Sequence, residues 1–178
     1  MIVRNYIIFL LLFLYGTQAI ATIFNNPGNI EEGQKFAGET GKVYAGRFSE
    51  FDTPEMGLRA IFRDIRTKVK QFDGDVDKII TKFAPSHENN TSKYINRIKK
   101  VIGKNKKINN KNLKDVVKEI VAIESADNFK IIKYYLDNPN IINAAEELSF
   151  IDMPSNTTGI TAKKLYYEGE YAKKVLDI

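Results

Sequence analysis

The chain predicts a mainly helical α+β fold, and three observations carry that prediction. Apolar residues recur at three- and four-residue spacing in four separate stretches between Thr53 and Ser125. A glycine-rich segment from Gly33 to Phe51 instead reads as one or two short strands joined by a tight turn. Beyond Asn128 the chain breaks into three shorter helical segments, split by Pro139 and Pro154. Helices dominate, and the small β element lies before them.

The chain has 178 residues, enough for one ordinary domain, and 43% hydrophobic content is enough for a core. There is no cysteine, so disulfides and thiolate metal sites are excluded. The single histidine, His87, rules out a histidine-rich metal centre. No metal and no cofactor are expected.

The first segment reads as a leader. Arg4 supplies a positive end, Tyr6 to Tyr15 is an uncharged apolar run, and Ala19-Ile20-Ala21 is a small-x-small cleavage pattern. An uncleaved anchor is the alternative, although the run is short of the roughly 20 residues a spanning helix needs. With Met1–Ala21 removed as a signal peptide, the rest carries 26 basic and 22 acidic residues, a net +4. The expected location is secreted or periplasmic, with no stable membrane anchor once the leader is cleaved. The positive balance suits an anionic partner such as cell-wall polymer. The basic stretch Arg97–Lys107 has no interleaved aromatics, so a nucleic-acid partner is not expected.

After the leader comes "FNNPGNIE", Phe24 to Glu31. Pro27-Gly28 is a turn signal. The segment is either a flexible lead-in or a shaped turn that presents Asn25, Asn26 and Asn29 to a ligand. "AGETG", Ala37 to Gly41, reads as a turn, and the strand-like "KVYAGRFSEF" follows. Thr53 is then a helix cap, Pro54 a first helical residue and Glu55 a favourable charge at the positive helix end. Leu58, Ile61, Phe62, Ile65 and Val69 mark the buried stripe.

"DGDVD", Asp73 to Asp77, breaks that helix. A calcium loop would need glycine at its sixth place and glutamate at its twelfth, where Lys78 and Ala84 stand. A turn that caps the next helix, "VDKIITKFA", is the better reading. Asn90 or Thr91 caps a helix bearing Tyr94, Ile95, Ile98 and Val101, which Gly103 ends. Leu113, Val116, Val117, Ile120 and Ile123 define another. "SNTTG", Ser155 to Gly159, reads as a hinge before the last helix.

Chemistry could sit on Glu124, beside a buried stripe, where a carboxylate is costly unless paired, neutralised or used. Burial raises a carboxyl pKa, as a general acid at neutral pH requires. The alternative is a boundary glutamate that reaches solvent or a lysine. Glu39, in a glycine-flanked turn, is a possible second carboxylate, or an ordinary turn residue. Glu50 is a further carboxylate of the same element, and Glu55 reads as a helix-start charge. "HENNT", His87 to Thr91, reads as a capping loop, and Tyr94 as a tyrosine at the edge of the core.

Taken together, "FNNPGNIE", "FAG", "RFSEFDTPEMGLRAIFRDIRT", "IITKFAPSHENNTSKYINRI" and "VAIES" resemble a phage and prophage-associated family described as virion structural proteins. The likeness runs from about Phe24 to Asn128. It departs at Phe36, where tryptophan is usual, and it leaves the last 50 residues unplaced. A more distant similarity is to bacterial lytic transglycosylases and glucosaminidases of lysozyme-like fold. Glu124-Ser125 resembles their Glu-Ser helix end, Asn25–Ile30 a cleft segment, and Glu88–Ile95 the helix that brings a tyrosine to the active site. Here Glu-Ser comes last, so the similarity implies a circularly permuted lysozyme-like domain over residues 22–128, with a helical C-terminal extension over 129–178.

The implied activity is cleavage of peptidoglycan glycan strands. Glu124 would be the general acid, with Tyr94 orienting it or substrate. Asn25, Asn26, Asn29, Glu88, Asn89 and Asn90 would bind sugar. Without a second carboxylate in the cleft the enzyme would be a transglycosylase, and with one it would be a hydrolase. The alternatives are a non-catalytic virion-type structural or cell-wall-binding protein, and an exported effector.

Overall fold

The computed structural model describes residues 24–103 and 107–176. The leader pattern at Met1–Ala21 lies outside them. The described chain is a two-stranded antiparallel sheet followed by helices, an α+β fold that is mainly α. The strands are β1 (Glu39–Tyr44) and β2 (Phe48–Phe51). Ala45 and Gly46 between them both have positive φ, at 49° and 74°. Tyr44 pairs with Phe48, so the loop is the three residues Ala45 to Arg47, inside the run read as strand-like, and the Arg47 amide donates to the Tyr44 carbonyl at 3.2 Å.

The first helix, α1 (Pro54–Phe72), starts as its sequence dictates. Thr53 accepts a hydrogen bond from the Met56 amide, and Pro54 occupies the first turn. The predicted stripe is buried except for the half-buried Val69, and so are Glu55, Met56, Gly57, Arg59 and Ala60. A helix buried nearly all round its first half is a central one. The helices around it are α2 (Val76–Phe83), α3 (Thr91–Ile102), α4 (Leu113–Glu124), α5 (Phe129–Leu136), α6 (Pro139–Leu148) and α7 (Gly159–Leu176).

The aspartate run does local work. Asp73 closes α1 in a left-handed conformation, and the Asp75 side chain caps α2 by accepting from the Lys78 amide. Glu55 is not simply a charge at a helix start. It is 4% exposed and forms an ion pair with Lys163 of α7 at 2.8 Å.

Residues after Asn128 belong to the same core rather than to an outlying extension. Ile131, Tyr135, Ile141, Ile142, Ala145 and Leu148 join one apolar cluster with Leu58, Ile61 and Phe62. α6 packs along α1, where the buried Arg59 donates to the carbonyls of Leu148 and Ile151 at 3.0 and 2.8 Å. The segment read as a hinge is docked onto the hairpin. The Gly38 amide donates to the Thr157 carbonyl at 2.9 Å, and the Gly159 amide donates to Asp52 at 2.6 Å.

Candidate functional site

Three distant segments meet at one cavity of about 580 Å³: the turn after Phe24, the loop between α2 and α3, and the end of α4. Each is placed by its own local chemistry. The turn is fixed from below by Asn26, which is fully buried. Its amide group donates to the carbonyls of Ile30 and Ser49 at 2.9 and 2.8 Å, and its oxygen accepts from the Ile30 amide at 2.8 Å. Asn25 donates to the Phe51 carbonyl at 2.9 Å. Phe24 stacks on Tyr44, with ring centroids 4.0 Å apart.

Gly57 sets how closely this turn lies on α1. A Cβ at that position would fall 1.6 Å from the Asn25 carbonyl oxygen. Only glycine lets the first turn of α1 meet the backbone there. Thus most of "FNNPGNIE" is scaffold. Asn25 and Asn26, expected to bind sugar, have amides engaged with backbone, because a buried amide left unpaired is costly.

Asn29 behaves differently. Its φ of 49° is left-handed, like that of Asn25 at 51°, a conformation asparagine tolerates, and the difference lies in the side chain. Its side chain reaches across to Glu124, donating to Oε2 at 2.8 Å. Glu124 is the last residue of α4 and lines the cavity. It is half-buried as a residue, and its carboxyl group is strongly desolvated. Burial raises its pKa above the ordinary 4.5, against the opposing effects of Asn29 and Tyr94. Tyr94 is 2% exposed, and its hydroxyl has no partner of good hydrogen-bond geometry. Burial pushes that hydroxyl far up, and the nearby Glu124 carboxylate pushes it further. Tyr94 therefore backs the acid from the core side rather than lining the cavity.

The loop between α2 and α3 contributes Glu88 and Asn89 to the cavity, both expected from the sequence. Asn90 is not among the lining residues; its side chain caps α3 by accepting from the Lys93 amide at 3.1 Å. Glu39 also falls outside the cavity. Its carboxylate accepts from the Phe36 amide at 3.0 Å and so closes its own turn. Burial raises the Glu39 pKa, and that backbone donor opposes the rise.

Several lining residues were not anticipated. Arg47 from the hairpin turn pairs with both Glu31 and Glu88, with its guanidinium 4.9 Å from the Phe48 ring centroid. This ties one wall of the cavity to the other. His87 lies beside Glu88 at 3.1 Å. On α1, Asp64 and Lys68 form an ion pair facing the cavity, although they are only 5% and 9% exposed. Their i, i+4 spacing is visible in the sequence, but on an exposed helix face that spacing is ordinary. Burial is what distinguishes the pair.

The fold and this cavity define a mainly α, α+β protein with a desolvated carboxyl group, held by an amide, in a polar cleft. No family model matches the chain. It is 42% identical over 77 residues to "Protein P5" of Pseudoalteromonas phage PM2, which covers 40% of this chain and 48% of that protein. The chain thus spans about half the length of the curated relative it matches, and part of it is similar to a phage protein.

Proposed function

We propose that this protein is a peptidoglycan-cleaving glycosidase, with Glu124 as general acid. The observation that carries the reading is the Asn29–Glu124 contact, which sets a desolvated carboxyl group on a cavity large enough for sugar rings. A carboxyl group whose pKa burial raises keeps its proton closer to neutral pH and can pass it to a glycosidic oxygen. Asn29 orients that group, while Glu88 and Asn89 offer polar atoms to sugar hydroxyl and acetamido groups. Contact between the chain's early turn and the end of α4 supports a permuted lysozyme-like arrangement. In that arrangement the Glu-Ser helix end lies beside the cleft segment despite its late place in sequence. The leader pattern supports action outside the cytoplasm, where the polymer lies.

The test is digestion of purified peptidoglycan by wild type and Glu124→Gln, with products read by mass spectrometry. Cleavage is expected from wild type, and a loss of about 100-fold or more from the variant. Equal cleavage by both would remove Glu124 from the chemistry. The similarity to a phage protein favours a second reading, a phage-type structural or wall-binding component without catalysis. Wild type that sediments with peptidoglycan but never cleaves it would support that reading.

A further inference from the structure

We propose that Asp64 is the second acidic group of this site, a catalytic base positioned by Lys68, and that the reaction is therefore a hydrolysis. The proposal rests on the glycosidase reading above and extends it.

Four acidic side chains line the cavity: Glu31, Asp64, Glu88 and Glu124. Glu31 and Glu88 are both engaged by Arg47 at the exposed rim. That leaves Asp64 as the other recessed carboxylate facing the same space as Glu124. It sits on the central helix α1, among the fully buried Ile61, Phe62 and Ile65. Its partner Lys68 is one turn on, with the ammonium 5.9 Å from the Phe83 ring centroid.

Stability gives little reason for an ion pair there. Apolar residues of similar volume often serve a fold as well or better, because taking two charges out of water offsets their attraction. The open side of the pair is the cavity. A recessed carboxylate on the central helix, lining the same cavity as a carboxyl group whose pKa burial raises, is the division of labour that glycoside cleavage by water requires.

The step balances as follows. Glu124 passes its proton to the glycosidic oxygen as the bond from that oxygen to the anomeric carbon breaks. A water oxygen forms the new bond to the anomeric carbon, and the water proton passes to Asp64. One water is consumed and the products are two free sugar ends. A transglycosylase would instead close the sugar's own 6-hydroxyl onto that carbon and leave an anhydro end.

The experiment digests peptidoglycan in ¹⁸O-labelled water with wild type, Asp64→Asn, Lys68→Met, Lys68→Arg and the double variant Asp64→Asn/Lys68→Met. Wild type is expected to give reducing ends carrying the label. Asp64→Asn should lower kcat by about 100-fold or more, with KM little changed. Lys68→Met should lower kcat, and Lys68→Arg should recover part of it. The double variant removes the buried charges together, so it should unfold no earlier than wild type and still be inactive. Anhydro ends from wild type, or an Asp64→Asn variant at the wild-type rate, would overturn the assignment while leaving Glu124 in place. No cleavage by wild type would overturn both.

Discussion

The Asn29 amide donates to Glu124 Oε2 at 2.8 Å across 95 residues of sequence. That one contact joins the turn at the start of the described chain to the end of α4, and it tunes the Glu124 carboxyl group. A donor to the charged form lowers a carboxyl pKa, while burial raises it, and burial dominates here. Removing the donor in Asn29→Ala is expected to raise the Glu124 pKa further. A general acid works protonated, so in the proposed role of Glu124 the alkaline limb of the pH–rate profile should move to higher pH. The maximal rate should fall by about 10-fold or more as the acid loses its orientation. Tyr94→Phe should move the limb the same way, with little cost in stability, since the lost hydroxyl has no well-formed bond. A pH–rate series on all three proteins checks both shifts.

Glu124 also links stability to pH. Its native pKa lies above 4.5, so the native state holds more protons than the unfolded chain once the pH passes that value. Stability therefore falls as pH rises from about 4.5 through the raised native value, and is fully present below that window. Glu124→Gln removes the ionisation. The variant should melt above wild type at neutral pH, and the difference should close near pH 4, as thermal unfolding at several pH values would record.

Asn26 is expected to be a stability residue. Asn26→Ala deletes three buried hydrogen bonds and leaves the Ile30 amide and Ser49 carbonyl without that partner. The expected cost is about 3 kcal/mol in urea unfolding. If the side chain instead bound substrate, the variant would keep its unfolding midpoint and raise KM alone.

Gly57→Ala should be more disruptive than its size suggests. The added methyl meets the Asn25 carbonyl at 1.6 Å, and backbone cannot step aside as a side-chain tip can. We expect a loss of about 3 kcal/mol. The turn that carries Asn29 should also lift away from α1. Ala60→Gly, on the same helix, should cost only about 1 kcal/mol of helix propensity plus the lost methyl packing. Parallel denaturation curves of the two variants compare a steric clash with a propensity loss.

Much of the fold was legible in the sequence, because caps, breakers and apolar spacing are local. Thr53-Pro54 started α1, and Asp75 and Asn90 capped the next two helices, whereas the hairpin turn fell at Ala45–Arg47, inside the run read as strand, and not at Ala37–Gly41. The motif "PEMGLRA" was visible but its reasons were not. Gly57 is there for the Asn25 backbone, Arg59 for two carbonyls near the end of α6, and Glu55 for Lys163. The C-terminal helices read as an extension because helical spacing says which face is apolar and not what covers it.

The sequence by itself determined a mainly helical α+β chain, and it marked Glu124, Asn29, Glu88 and Asn89 as residues that belong in one place. Tertiary structure decided which asparagines are scaffold and which one reaches the acid. It took Glu39 and Asn90 out of the cavity and brought Asp64 and Lys68 into it. The physical reason is that a polar side chain's role depends on what desolvates it and what its hydrogen bonds reach. Both are set by residues tens of positions away, which no local pattern records.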